Sequence, residues 1–264
     1  MSENYKEINK KLWNEKTEIH INSEFYGMDK FLAGETSLKE IEIGLLGDIT
    51  GKSILHLQCH FGQDSLSLAR MGAQVTGLDI SDIAIEKAKI LATQMGLPAN
   101  FICSDVYSAK QHIYEKFDIV FATYGTIGWL PDIKKWADIV SHFLKPGGKL
   151  VFVELHPVLW MYDTTFNSVI YRYFNSEPIV EETPGTYADK EADIQLLEIG
   201  WNHGLSEVIT SLLEEGLVLN DFKEYDYSPH NCFLGMEKVG ESRYIIEHLG
   251  NKLPMTYSLV MTKQ

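Results

Sequence analysis

From Ser53 onward the chain alternates between two hydrophobic periods, and that alternation restricts its fold more than any other feature. Strand-like runs lie at 53–58 (SILHLQ), 74–79 (QVTGLD), 99–103 (ANFIC), 117–122 (FDIVFA) and 148–154 (GKLVFVE). Helical spacing fills 63–71, 81–95 and 132–145. Ser81 stands as the N-cap of the second of these helices and Gly96 as its stop. Strands that alternate with helices pair in parallel and are covered on both faces. The expected core is a doubly wound α/β sheet.

Two segments flank or interrupt that rhythm. Residues 3–16 and 36–47 carry apolar residues at helical spacing, Ile8, Leu12 and Trp13 in the first and Leu38, Ile41, Leu45 and Leu46 in the second. They predict an N-terminal helical cap over 1–50. Residues 157–203 mix many aromatics with turn stretches such as SEP and TPGTY, which predicts an inserted lid or hairpin over a site. A helix over 204–215 and strands near 217–226 and 255–262 complete a single domain spanning 1–264. No repeat or low-complexity tract is present.

Charge narrows the partners. The 37 acidic residues against 23 basic ones leave a formal charge of −14, which repels phosphate backbones and anionic lipid. Neither nucleic acid nor membrane is an expected partner. No apolar run approaches membrane-spanning length and the first residues lack a signal-like core, so a cytoplasmic location is expected. Three cysteines, Cys59, Cys103 and Cys232, show no C-x-x-C spacing and are expected as reduced thiols. Oligomeric state is not legible.

The stretch ILHLQCHFGQDSL, residues 54–66, is laid out as a strand, a short loop and a helix, the plan of a nucleotide-cradling turn. Its string H-x-x-C-H would hold a metal only if a further ligand arrived from elsewhere, and no His or Cys pair at helical spacing supplies one. No metal is expected. A dinucleotide needs bare backbone against its pyrophosphate, whereas Gln58 and His60 stand where glycines would be required. A cofactor without a pyrophosphate needs only one tight turn, which Gly62 supplies. Asp79 then ends the second strand, placed to accept both ribose hydroxyls, and Asp105 follows the third, placed to accept from an adenine amino group.

In this order the parts resemble the class I S-adenosylmethionine-dependent methyltransferases over roughly residues 50–264. TGLDIS, CSDV, FDIVFA and LKPGGKLVF carry the likeness. The usual family opening, an acidic residue and then G-x-G-x-G, is here HLQCHFG, with His56 in place of the acid and Gln58 and His60 in place of two glycines. The resemblance implies a Rossmann-like, seven-stranded sheet in the order 3-2-1-4-5-7-6 with the seventh strand antiparallel. It also implies S-adenosyl-L-methionine as cofactor and a small-molecule methyl acceptor.

Cofactor contacts are expected from Gln58, Cys59, His60, Gly62, Asp79, Ile80, Asp105, Val106 and Thr123, with Tyr26 closing the site from the N-terminal cap. His156, just past the fifth strand, and Tyr124, after the fourth, are the catalytic candidates, because an acceptor hydroxyl or amine must give up a proton. His156 could equally bond a loop backbone. Trp129 is expected to line the pocket, His20 to close the site or pack onto the core, and Asn202 or Ser206 to cap the helix beside His203. The alternative is a non-catalytic cofactor-binding or regulatory protein of the same fold. An NAD-dependent oxidoreductase is disfavoured by the missing glycines and the Pro-Gly-Gly turn.

Overall fold

The structure, a computed structural model, describes residues 4–174 and 177–264. Residue 3, the first position of the expected N-terminal helix, and Ser176 of the SEP turn lie outside the described residues. The helices are α1 (Asn4–His20), α2 (Met28–Leu32), α3 (Glu40–Leu46), α4 (Gln63–Arg70), α5 (Asp82–Met95), α6 (Ile133–Phe143) and α7 (Leu205–Glu214). The strands are β1 (Ser53–Leu57), β2 (Gln74–Asp79), β3 (Ala99–Cys103), β4 (Phe117–Thr123), β5 (Leu144–Leu155), β6 (Ile179–Pro184), β7 (Gln195–Gly200), β8 (Leu217–Tyr225), β9 (Met236–Gly240), β10 (Arg243–Ile246) and β11 (Thr256–Lys263).

Seven strands form one sheet in the order β3-β2-β1-β4-β5-β11-β8. The first five pair in parallel and β11 runs antiparallel to both β5 and β8. This is the expected order, with β8 and β11 as the sixth and seventh strands. Both faces are covered, so the central strands are apolar on both sides. Alternation along β1 shows it directly: Leu55 and Leu57 join Trp136, Phe143 and Phe152 under α6 and α7, while Ile54 joins Phe121, Val151 and Leu68 on the opposite face. The Ser81 hydroxyl caps α5 by accepting from Ala84 N at 3.0 Å, and Gly96 closes that helix with a left-handed φ of 62°.

Several boundaries differ from expectation. β1 stops at Leu57, one residue early, because Gln58 turns to a left-handed φ of 55°. β5 is longer than expected and includes the Lys145-Pro146-Gly147-Gly148 stretch. α7 starts from Gly204 with no side-chain cap; Asn202 donates instead to Pro157 O at 3.1 Å. The short α2 and the β9–β10 hairpin, between β8 and β11, were not legible in the sequence.

The insertion after β5 forms a 3-10 turn, Leu159–Met161, and the antiparallel β6–β7 hairpin. α1 clasps that hairpin. Asn9 exchanges two hydrogen bonds with the backbone of Ile199, at 2.8 and 3.1 Å, and Lys16 pairs with Glu198 at 3.1 Å. Tyr5 meets Trp201 edge to face at 5.2 Å. Cap and insertion thus form one roof over the carboxyl ends of the strands.

Candidate active site

Beneath that roof lies a cavity of about 900 Å³, within the range of small-molecule sites. It opens beyond the carboxyl ends of β1, β2, β3 and β4, where open α/β sheets bind ligands.

The loop after β1 answers how a chain can dispense with glycines there. Gln58, His60 and Gly62 all hold left-handed backbone, with φ of 55°, 51° and 77°. The geometry usually served by glycine is kept although two side chains have been added. Such a conformation costs a non-glycine residue on the order of 1–3 kcal/mol and persists only where neighbours fix it. Here Gln58 Nε2 donates to Thr126 O at 2.7 Å and His60 N donates to Asp79 Oδ2 at 2.8 Å. The His60 ring packs among Trp13, Tyr26 and Phe61, with centroids 5.2, 5.7 and 4.5 Å away. Gly62 remains irreplaceable: a Cβ would stand 2.6 Å from the Phe101 ring and 2.9 Å from Ala88 Cβ.

The neighbouring residues divide between lining and support. His56 is buried, its Nδ1 2.8 Å from Ser65 Oγ and its ring against Phe121, and burial alone lowers its pKa to about 3. Because the chain leaves the strand at Leu57, His56, Gln58 and His60 do not form the single face that strand alternation would give. Cys59 borders the cavity, but its thiol is raised by burial and would lie 2.8 Å from a Cβ on Gly77, so it packs beneath the loop.

Asp79 ends β2 with Oδ1 accepting from Ser81 N at 2.9 Å and Oδ2 from His60 N. Burial raises its carboxyl to about 6, against the pull of those backbone donors. Asp105 accepts from Lys6 Nζ at 2.9 Å and from Tyr107 N at 3.1 Å. Burial pushes Asp105 up, but the Ser108 hydroxyl and the Lys6 ammonium outweigh it and hold its pKa below the ordinary value. Ile80, Val106 and Thr123 border the same cavity.

At the end of β4 the loop is suspended from one carboxylate. Glu154, 3% exposed, accepts from Gly125 N, from Thr126 N at 2.7 Å, from Ile127 N at 3.3 Å and from Leu155 N at 2.7 Å. The Thr126 hydroxyl adds a bond at 3.0 Å. Tyr124, at a left-handed φ of 49°, borders the cavity and donates its hydroxyl to Glu42 Oε2 at 2.6 Å. Trp129, also at the rim, donates its indole N–H to Gly125 O at 2.7 Å.

His156 is a correction. It does not line the cavity: Nε2 lies 3.0 Å from Glu224 Oε1 on β8, and Nδ1 accepts from Val158 N at 3.2 Å. Its backbone N–H bonds Met255 O, just before β11, and its ring is held toward β8 by Glu224, outside the cavity lining. Tyr26, in contrast, lies in the roof, its hydroxyl 2.5 Å from that of Tyr187 in the insertion. His20 is fully buried beside Tyr26, His60 and Tyr187.

Glu154 stands at the end of the fifth strand, among the positions where sequence places the ligand crevice. Sequence reasoning missed Glu42, Asp64, Tyr187 and His230. Asp64 alone had a signal, an acid in the first turn of the helix that follows Gly62. The others reach the cavity or its wall only through tertiary packing.

The residues fit an adenosyl cofactor. Gln58 Oε1 and both ring nitrogens of His60 are buried without a hydrogen-bond partner among the described residues, and both side chains border the cavity. Buried polar atoms left so are costly unless a ligand completes them.

Comparisons agree with this geometry. Residues 54–148 match the methyltransferase domain family. The ubiquinone biosynthesis O-methyltransferase of Photorhabdus laumondii is 32% identical over 110 residues, 42% of this chain and 45% of that enzyme. The chain spans about half the length of the curated relatives it matches. In fold it is similar to an S-adenosylmethionine-dependent methyltransferase from Mesorhizobium loti, with a TM-score of 0.57, 16% identity and coverage of 88% and 100% of the two chains. A second such enzyme, from Clostridium acetobutylicum, gives a TM-score of 0.56 at 16% identity, covering 96% of each chain.

Proposed function

We propose that this chain is a class I S-adenosylmethionine-dependent methyltransferase that transfers a methyl group to a small organic acceptor. The observation that carries the proposal is the loop after β1. Three left-handed residues bend it around the cavity beside Asp79, and Gln58 Oε1 and the His60 ring nitrogens have no hydrogen-bond partner among the described residues.

When bound, the cofactor supplies an electrophilic methyl group on a sulfonium. Asp79 would hold the ribose hydroxyls, and Ile80 and Val106 would flank the adenine. Asp105 serves chiefly to cap the turn after β3 and to anchor Lys6 of α1, so it contributes by holding the roof. Gln58 and His60 offer side-chain hydrogen bonds where glycine relatives offer only backbone. The roof of α1 and the insertion excludes water, and alignment of the acceptor in a dry chamber accounts for much of the rate of such a displacement. Aromatic walls from Phe25, Tyr124, Trp160, His230 and Phe233 favour an apolar, flat acceptor.

Calorimetric titration with S-adenosylmethionine, S-adenosylhomocysteine and NAD tests this function. Saturable binding of the two adenosyl compounds and not of NAD is expected. Failure of both to bind would refute it. Binding without transfer to any acceptor would assign the chain to the non-catalytic, regulatory alternative.

A further inference from the structure

Glu42 has no place in the cofactor site, yet its surroundings are not those of a plain helix-start residue. It lies on α3, in the N-terminal cap, at 1% exposure. Oε1 accepts from Lys39 N at 2.7 Å and Oε2 accepts the Tyr124 hydroxyl proton at 2.6 Å. It does not border the cavity, whereas Tyr124 does. The Tyr124 phenol thus joins the carboxylate to the chamber, one hydroxyl bonding Glu42 from a residue that borders the cavity. Tyr124 itself is held in a left-handed conformation, next to the loop that Glu154 anchors, with His230 edge-on at 4.8 Å. Strain of that kind on an aromatic residue, stabilised from several sides, marks a position whose direction matters.

We propose that Tyr124 and Glu42 form a proton relay that takes the proton of an aromatic hydroxyl acceptor, with Tyr124 touching the acceptor and Glu42 receiving the proton behind it. The inference rests on the methyltransferase function proposed above. The acceptor O–H bond breaks and its proton passes to Tyr124 Oη as the tyrosine's own proton passes to Glu42 Oε2. The acceptor oxygen's electron pair forms the new C–O bond, and the pair of the breaking C–S bond stays on sulfur. Tyr124 is neutral before and after; protonated Glu42 returns its proton to water when product leaves. A neutral phenol can relay in this way without ever ionising, which its burial beside Glu42 would oppose.

Burial raises Glu42 to about 7, with Asp64 adding to the rise and the Tyr124 hydroxyl and Lys39 N–H opposing it. A base near neutrality is the efficient one at physiological pH. Other groups face the pair: Asp64 from α4, Lys39 at the start of α3, and Tyr227 and His230 from the segment after β8. His230, lowered to about 3 by burial and Lys39, is a poor proton acceptor at pH 7. Asp64 is the competing base, raised by burial and bonded by the Ser37 and Thr123 side chains.

The test uses the full chain with Glu42→Gln, Tyr124→Phe and Asp64→Asn, and phenol, catechol and 2-naphthol as acceptor probes. Glu42→Gln keeps an oxygen and an N–H for its two partners. Wild-type kcat/KM is expected to rise with pH through about 7. In Glu42→Gln and Tyr124→Phe it falls about 100-fold and that limb disappears, while cofactor affinity by calorimetry changes less than about threefold. Independently of turnover, the infrared difference between wild type and Glu42→Gln shows a protonated-carboxyl band that titrates near neutrality. A limb kept in Glu42→Gln but lost in Asp64→Asn overturns the relay, as does cofactor binding with no turnover of any hydroxyl probe. A wild type that binds no S-adenosylmethionine removes instead the methyltransferase function on which the relay depends.

Discussion

Gly62→Ala probes the loop after β1 with a single methyl group. The added Cβ would lie 2.6 and 2.7 Å from Cε1 and Cζ of Phe101 and 2.9 Å from Ala88 Cβ. The same edge of Phe101 also packs over Gly77, where a Cβ would stand 2.8 Å from Cδ1 and 2.9 Å from Cε1, so the ring is held between two glycines. Overpacking of this kind costs about 1–3 kcal/mol. The left-handed φ of 77° adds about 1–2 kcal/mol for any residue with a Cβ. The expected loss is ~2–5 kcal/mol, read as a lower urea midpoint at unchanged slope. Gly96→Ala is the control: its φ is 62°, but nothing lies within 4 Å of a Cβ there, so only the backbone penalty of about 1–2 kcal/mol applies. Equal losses in the two variants would refute the claim that packing against Phe101 and Ala88 fixes Gly62.

Asp79→Ala is expected to weaken S-adenosylmethionine binding by roughly 1.5–3 kcal/mol, the range for hydrogen bonds to a charged group, measured by calorimetry. In the wild type the affinity should rise between about pH 5 and 7, because Asp79, raised to about 6 by burial, must ionise to accept from ribose hydroxyls; a flat profile would argue against that contact. Glu154→Ala leaves the Gly125, Thr126 and Ile127 N–H groups without their acceptor at about 1–3 kcal/mol each, so a loss above about 3 kcal/mol in denaturant is expected. His20→Phe removes a buried imidazole with both nitrogens unpaired. The folded chain holds His20 neutral down to about pH 2, whereas the unfolded chain protonates it near 6.5. Its contribution to stability is therefore lost as pH falls below 6.5, by about 1.4 kcal/mol per unit, and the Phe variant should show that much less acid sensitivity in unfolding titrations at pH 7 and pH 5.

The sheet was legible because hydrophobic period reports burial, and burial in a doubly wound sheet is set by strand and helix alternation. The strands from Ser53 to Thr123, the Ser81 cap and the antiparallel last strand follow from local pattern and resemblance. The direction of His156 was not legible, since it depends on Met255 and Glu224, contributed by strand pairing far along the chain. Glu42, His230 and Tyr187 were missed for the same reason: each meets Tyr124 or Tyr26 through contacts across many tens of residues. The β9–β10 hairpin escaped because its strands are only five and four residues long and only Ile246 among them is fully buried, so they carry no readable period. Gln58 and His60 illustrate a different limit. Residue identity argued against a glycine-type loop, but the backbone adopts it because Thr126 O and Asp79 hold it there.

The clasp between α1 and the inserted hairpin joins two distant parts of the chain. Its two-way bond, Asn9 with Ile199, spans 190 positions, and the Lys16–Glu198 ion pair ties α1 to the same end of β7. Closing so large a loop carries an entropic cost that grows only slowly with its length, so a few polar contacts can hold it. A cofactor in the chamber would lie beneath that clasp. The roof is thus fastened by polar contacts between segments distant in the chain, while the sheet below keeps its own apolar packing.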